Sequence, residues 1–222
     1  MLAADTLLSY GSMAKQQGIS RLKVIEGTKV VLGASGEYSD YTKLCEILTA
    51  KALEETKTSL MDSLYATEES SSSASFTASS TWNYLRMLLY SRRNKMNPFW
   101  NDLLIAGFDD QGKPFLGSVD KIGTTVCDDF LATGFGSYLA IPLLREKYRT
   151  DLSEGEARAL LEDCMKVLFY RDCRASSLIQ LAKCDATSGQ VLVSDPYPLE
   201  NLQWDAPEFV RPVADLDGDG GW

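Results

Sequence analysis

The order of the predicted elements is the feature that most constrains the fold of this 222-residue chain. Short apolar strands joined as hairpins alternate with pairs of helices, in the order strands, two helices, strands, two helices, strands. Strands joined by tight turns pair antiparallel, whereas helices that occur in pairs form a layer of their own. The pattern therefore predicts an α+β sandwich in which helix layers cover antiparallel sheets.

Three hairpins are predicted to build the sheets, and each joins two apolar segments through a polar or glycine-containing turn. A further strand at residues 2–5 opens the chain, ends at Asp5 and is followed by a predicted turn at residues 9–12. The hairpin strands are predicted at 22–25 with 30–32, 103–108 with 115–119, and 179–184 with 190–193.

Four helices are predicted from apolar residues that recur at helical spacing. Ser39 or Asp40 can cap the first helix, and Ser153 with Glu156 forms a capping box for the last. The predicted helices run from 39 or 40 to about 55, from 79 or 80 to 97, from the segment 132–137 to about 148, and from 153 to 170–172.

Two segments depart from this pattern. Residues 66–80 are rich in serine and offer little apolar surface, which predicts a mobile surface insertion. Four prolines follow position 195, so residues 196–222 are predicted to be an extended C-terminal arm. We therefore expect a single domain over residues 1–195.

Composition excludes several classes of function. The net charge of −9, with no histidine, disfavours nucleic-acid and anionic-membrane partners. The apolar runs are far shorter than the roughly 20 residues that span a bilayer. The five cysteines lack CxxC spacing and are predicted to be reduced thiols, mostly in the core. No metal or other cofactor is expected.

Several motifs occur in the same order as in a known family. The chain resembles the beta-type subunits of the proteasome core particle, which fold as four-layer αββα sandwiches of the N-terminal-nucleophile hydrolase type. The resemblance implies that fold here, without its first strand, which is expected to be absent from this chain. The motifs are Ala3-Ala4-Asp5, then Gly33-Ala34-Ser35-Gly36 followed by Asp40, and Tyr170-Arg171-Asp172.

Within that family the chain is most similar to the seventh beta subunit, which is non-catalytic. The resemblance implies a structural role in ring assembly and ring pairing within the 20S proteasome. It also implies other alpha and beta subunits as partners, a part in ubiquitin-dependent degradation, and a place in the cytoplasm and nucleus. The segments that carry this similarity are 9–12, 90–101 and 132–140.

The resemblance also marks the positions of a disarmed catalytic site. Active members attack a peptide carbonyl with an N-terminal threonine whose own amine accepts the proton. Arg21 replaces the lysine of active members and is expected to form an ion pair with Asp5. Phe135 and Ala175 replace two serines. The full set of vestigial positions is Asp5, Arg21, Gly36, Phe135, Asp172 and Ala175, with Gly36 aligned only approximately as an oxyanion-binding amide.

Other interpretations stay open at this stage. The chain could be an active threonine peptidase whose first strand lies outside this sequence, or a free binding protein with a calcium-sensitive tail at 215–220. That tail matches only the first half of an EF-hand loop. Glycines at 134–136 could cradle a phosphate, although a tight strand-to-helix turn is favoured. The candidate interface residues are Arg92, Arg93, Lys95 and Trp204.

Overall fold

A computed structural model describes residues 1–65, 76–186 and 188–202 of the chain. Strands and helices alternate along it in the predicted order. The strands are β1 (Leu2–Asp5), β2 (Leu8–Tyr10), β3 (Met13–Gln16), β4 (Leu22–Val24), β5 (Val31–Gly36), β6 (Asn101–Phe108), β7 (Pro114–Val119), β8 (Thr125–Cys127), β9 (Leu178–Asp185), β10 (Gln190–Val193) and β11 (Tyr197–Pro198). The helices are α1 (Tyr38–Tyr65), α2 (Ala78–Asn94), α3 (Gly136–Lys147) and α4 (Glu154–Arg171).

Two antiparallel sheets form the centre of the molecule. One follows the chain in the order β4-β5-β6-β7-β8. In the other, β9 pairs with β1, β10 and β11, and Asp5 lies opposite Ile179 in the β1–β9 register. Among the described residues, β1 is therefore an edge strand with one open side. All three predicted hairpins are confirmed.

The layers follow from where the apolar side chains are buried. α1 and α2 cover the five-stranded sheet, where Leu44, Leu85 and Leu103 belong to one fully buried cluster. Leu2 and Val31 belong to a second cluster that fills the space between the sheets. On the other side α4 packs against β1 and β9 through Met165. The predicted four-layer αββα sandwich is confirmed.

A large apolar cavity adjoins the start of β1. It has a volume of about 530 Å³ and lies between β1, α3 and α4. Leu2, Leu116, Leu144 and Leu160 are among the side chains that line it. The cavity leaves the packing between β1 and the α3–α4 layer incomplete within this chain.

The Ser-rich segment ends earlier than the sequence predicts. The hydroxyl oxygen of Thr77 accepts a hydrogen bond from the Ser80 amide at 3.2 Å, and the Thr77 amide donates to the Ser80 hydroxyl at 2.9 Å. Residues 76–80 thus cap and begin α2, because serine and threonine also favour helix N-termini. The rest of the predicted insertion, 66–75, lies outside the described residues.

Three further predictions need correction. α1 extends to Tyr65, ten residues beyond its predicted end. Residues 8–16 form a hairpin rather than a simple turn, and a short strand at β8 was not predicted. β3 is exposed along its whole length, so it lacks the alternation of buried and exposed residues that identifies strands.

The C-terminal boundary also differs from the prediction. β11 pairs with β9, and Leu199 is buried, so the packed domain continues beyond residue 195. The Tyr197 hydroxyl donates a hydrogen bond to Glu162 at 2.9 Å and ties this segment to α4. The remainder of the predicted arm, from 203 to 222, lies outside the described residues, together with Trp204 and the acidic tail.

The cysteines are free thiols, but fewer are in the core than predicted. Cys45 and Cys164 are buried and Cys184 is half-buried, whereas Cys127 and Cys173 are exposed. No helix among the described residues has both the length and the apolar character needed to cross a membrane.

Candidate functional site

Asp5 and Arg21 form an ion pair where β1 ends and β4 begins. The Arg21 Nη1 atom lies 3.1 Å from Asp5 Oδ1, which confirms the predicted pair. Arg21 Nη2 also donates to the carbonyl oxygen of Leu7, and the Leu7 amide donates to Asp5 Oδ2 at 3.3 Å. The carboxylate and the guanidinium are therefore both held by the same short segment of backbone.

The surroundings of Asp5 have opposing effects on its pKa. Burial raises the pKa of this carboxyl above its usual range, and the nearby charge of Asp172 raises it further. The Arg21 guanidinium and the backbone amides of Leu7 and Ser176 lower it, but burial outweighs them. The Asp5 side chain is only 14% exposed. A guanidinium does not give up its proton in proteins, so the Asp5–Arg21 pair can orient neighbouring groups but cannot act in proton transfer as a lysine can.

Gly36 occupies a backbone position that only glycine adopts without strain. Its φ is +103°, and a Cβ atom there would overlap the carbonyl oxygen of Trp100. Gly36 and Arg21 line the same small cavity of about 10 Å³. That volume is close to the minimum for a single water molecule.

Two residues that the sequence did not single out for the site hold the bend after β5. Asn101 is buried, and its side-chain nitrogen donates to the carbonyl oxygens of Ser35 at 3.2 Å and Glu37 at 2.8 Å. Asp40, predicted as a helix cap and as the acidic residue that follows the Gly33–Gly36 motif, accepts a hydrogen bond from the Trp100 amide at 2.9 Å. The sequence carries no local signal for Asn101, because its burial and its two carbonyl partners become visible only in the fold.

Phe135 lies in a different part of the site from the ion pair. Its ring is half-exposed, and it precedes α3 without making a side-chain cap. A Cβ on Gly134 would lie 3.4 Å from Ser35, which places this turn beside the end of β5. A cavity of about 240 Å³ beside Gly134 is lined by Asp102 and Asp120, whose carboxylates disfavour the phosphate interpretation.

Asp172 and Ala175 form the turn that follows α4. The Asp172 carboxylate accepts a hydrogen bond from the Arg174 amide at 2.9 Å, and its carbonyl accepts one from Ala175 at 3.1 Å. The turn presents the Ser176 amide to Asp5. The structure thus brings Asp5, Arg21 and Asp172 together, with Gly36 on the adjoining cavity.

The candidate interface residues cluster at the C-terminal end of α2. The Arg92 guanidinium lies 4.4 Å from the centroid of the Phe99 ring, and that of Arg93 lies 5.8 Å from the Tyr90 ring. Lys95 caps the helix and is exposed. The structure does not describe Trp204. No group of three or more potential metal ligands occurs among the residues that are described.

Two antiparallel sheets lie between two helix pairs, and a carboxylate ends an edge strand beside a small cavity that Gly36 lines. This is the architecture of the N-terminal-nucleophile hydrolase class. The model of the proteasome family, described as "Proteasome subunit", matches residues 1–184 of this chain. The chain belongs to the proteasome subunit family.

Curated relatives cover nearly the whole chain. It is 37% identical over 210 residues to proteasome subunit beta type-4 of Dictyostelium discoideum, covering 94% of this chain and 75% of that protein. Identity to the beta type-4 subunit of Arabidopsis thaliana is 39% over 218 residues, covering 98% and 82%. For the Xenopus laevis beta type-4 subunit it is 38% over 213 residues, covering 95% and 81%.

Proposed function

We propose that this chain is a non-catalytic, structural beta subunit of the 20S proteasome core, which helps to close its ring and to pair the two rings for ubiquitin-dependent degradation. The single observation that carries the proposal is the Asp5–Arg21 ion pair at 3.1 Å. An arginine cannot exchange protons as a lysine can, and here it is engaged by Asp5 and the Leu7 carbonyl.

The other altered positions support the same conclusion. Phe135 places an aromatic ring, and Ala175 a methyl group, where the resemblance implies serine hydroxyls. We propose that Asp5, Arg21, Gly36, Phe135, Asp172 and Ala175 are vestigial positions with structural roles.

We propose other alpha and beta subunits of the core as partners. The exposed cations at the end of α2 support this, because arginine is enriched at protein interfaces. Trp204 stays a prediction as a further contact. We also propose that the protein acts in the cytoplasm and nucleus, and its five free thiols suit such reducing compartments.

The assembly is tested by purifying the tagged full-length chain from its own cells and recording native mass spectra. We expect the chain in a stacked-ring particle with other proteasome subunits. Recovery of a monomer alone would contradict the proposal, and a monomer whose melting temperature rises with calcium would favour the binding-protein alternative.

The lack of activity is tested on the purified particle with a covalent probe directed at N-terminal threonines. We expect the probe to label catalytic neighbours and to leave this chain unlabelled. Labelling of this chain would show that the active-peptidase alternative is correct.

A further inference from the structure

The end of α2 contains a methionine where helices usually place glycine. The Asn97 amide donates to the Arg92 carbonyl at 3.1 Å, and the Met96 amide donates to the Arg93 carbonyl at 3.0 Å. This pair of hydrogen bonds is the Schellman motif, whose left-handed residue is here Met96 with φ of +54°. A side chain at this position strains the backbone, so the motif alone does not explain a methionine.

Packing within the chain does not explain Met96 either. Its side chain is 91% exposed, more than any other large hydrophobic residue in the described part of the chain. Met96 therefore combines backbone strain with an apolar side chain that the described part of the chain leaves unburied. Such positions concentrate where a protein binds something else.

Exposed aromatic and cationic residues accompany Met96 at the end of α2 and on the neighbouring turn between β7 and β8. Tyr90 and Trp100 are both more than half exposed. The turn between β7 and β8 packs on Tyr90 at Gly123, and the Lys121 ammonium lies 5.0 Å from the centroid of the Trp100 ring. We call this the α2-end surface and define it by Tyr90, Arg93, Lys95, Met96, Trp100 and Lys121.

The charge of the α2-end surface indicates the kind of partner that fits it. Among the described residues, Arg93, Lys95 and Lys121 form no ion pair with a carboxylate. The chain as a whole carries a net charge of −9, so this cationic region contrasts with the rest of the molecule. Electrostatic complementarity favours an acidic protein surface, because the negative field of the whole chain repels nucleic acid.

The base of the surface is held rigidly. The Arg92 guanidinium stacks on the buried Phe99 ring at 4.4 Å, and Asp40 fixes the Trp100 backbone at 2.9 Å. Met96 and the aromatic rings are therefore presented on a fixed backbone, which lowers the entropy lost on binding.

We propose that Met96 is an anchor that enters an apolar pocket, bordered by carboxylates, on a neighbouring subunit of the proteasome core. The inference rests on the proposed function, because it takes the neighbour to be another subunit of that particle. Arg93, Lys95 and Lys121 surround the anchor and pair with the carboxylates at the edge of the pocket. Buried anchors of this kind dominate binding, while charges at the edge set orientation and rate of association.

The experiment compares tagged full-length variants expressed beside the endogenous chain. The ratio of assembled to free tagged chain is measured by native gel and mass spectrometry. Met96→Gly relaxes the backbone but removes the anchor, and we expect it to lower that ratio roughly tenfold or more. Met96→Leu keeps the apolar bulk and should assemble like wild type.

Two controls separate binding from folding. Met13→Gly removes a methionine that is 57% exposed on β3, far along the chain from α2, and should leave the ratio within about twofold of wild type. The melting temperature of the Met96→Gly chain should equal or exceed that of wild type, because glycine suits the left-handed conformation. A fall in assembly with an unchanged melting temperature is therefore a loss of contact.

The outcomes distinguish the two proposals. If wild-type chain never enters the particle, the proposed function fails and the inference fails with it. If wild type assembles and Met96→Gly assembles equally well, the proposed function stands and the inference is wrong. Equal loss in Met13→Gly and Met96→Gly also overturns the assignment of Met96 as an anchor.

Discussion

Arg21 connects the two sheets of the sandwich through Asp5. Arg21 directly precedes β4, which belongs to the five-stranded sheet. Its guanidinium lies 3.1 Å from the Asp5 carboxylate at the end of β1, which belongs to the other sheet. Its second nitrogen binds the carbonyl of Leu7. A lysine ammonium has no planar fork with which to hold a carboxylate and a carbonyl in this way. Arg21 therefore links the two sheets structurally through its contacts with Asp5 and the Leu7 carbonyl.

The first prediction concerns Arg21→Ala at different pH values. Burial holds the pKa of Asp5 above its unfolded value, so the contribution of Asp5 to stability is present below the unfolded pKa and is lost as the pH rises through the folded pKa. Without Arg21 that pKa rises further. We expect Arg21→Ala to lower the free energy of unfolding by about 2 kcal/mol at pH 7 and by less at pH 4.

Urea unfolding of the full-length chain between pH 4 and pH 7 measures this difference. The double variant Asp5→Asn with Arg21→Ala is the control, because it has no carboxylate at position 5. The stability that it loses relative to wild type should therefore show no extra loss at pH 7. If Arg21→Ala lowered the free energy of unfolding equally at both pH values, Arg21 would not stabilise the charged form of Asp5, and the prediction would be wrong.

The second prediction concerns the bend at Gly36. An alanine Cβ would overlap the Trp100 carbonyl oxygen, which already accepts a hydrogen bond from the Glu37 amide at 3.0 Å. Because backbone atoms on both sides cannot move aside, we expect Gly36→Ala to cost about 3 kcal/mol of stability. Thermal unfolding of the full-length chain measures the loss.

Gly155 offers a matched control for that substitution. It lies in α4, and no heavy atom lies within 4 Å of a Cβ placed there. Gly155→Ala should therefore be neutral or stabilise the chain by about 0.5 kcal/mol. Equal effects of the two substitutions would contradict the role of the positive φ at Gly36.

The third prediction concerns the reactivity of the thiols. Cys127 and Cys173 are exposed, whereas Cys45 and Cys164 are buried. Burial raises the pKa of Cys164 to about 11 and also raises that of Cys45, which leaves little reactive thiolate at pH 8. We expect an alkylating reagent to modify Cys127 and Cys173 in the folded chain and to reach the other two only after denaturation.

Peptide mapping by mass spectrometry after a timed reaction gives the rate at each cysteine. Cys164 also lines the cavity of about 530 Å³ near β1, which makes it a sensitive probe of that region. Alkylation of Cys164 at the rate of Cys127 would mean that the α3–α4 layer opens readily in solution.

Local signals in the sequence predicted the layers well. The hairpins at β4–β5, β6–β7 and β9–β10 combine apolar strands with clear turns. Their bounds lie within two residues of the predicted ones, except that β5 continues to Gly36, four residues past its predicted end. The Asp5–Arg21 pair followed from the family resemblance, which placed the two charges in one site.

Contacts between distant parts of the chain produced the differences. β11 forms because β9 offers it a partner, and neither Tyr197 nor Pro198 signals a strand by itself. Asn101 joins the site through carbonyls 64 and 66 residues earlier in the chain, which no local pattern encodes. Thr77 looked like part of a serine-rich loop because the same residue types favour loops and helix caps.

The last prediction concerns the capping box of α4. The Ser153 hydroxyl accepts a hydrogen bond from the Glu156 amide at 3.3 Å, and Glu156 accepts one from the Ser153 amide at 2.9 Å. These bonds satisfy amides that the helix leaves unpaired, so Ser153→Ala should cost about 1 kcal/mol of stability.

Hydrogen bonds from Ser153 lower the pKa of Glu156, so the contribution of Glu156 to stability is present above its unfolded pKa and is lost as the pH falls through the folded pKa. Urea unfolding at pH 7 and pH 3 should therefore give a smaller cost at pH 3. Ser39→Ala, in the first turn of α1, is the exposed control and should change stability by less than about 0.5 kcal/mol.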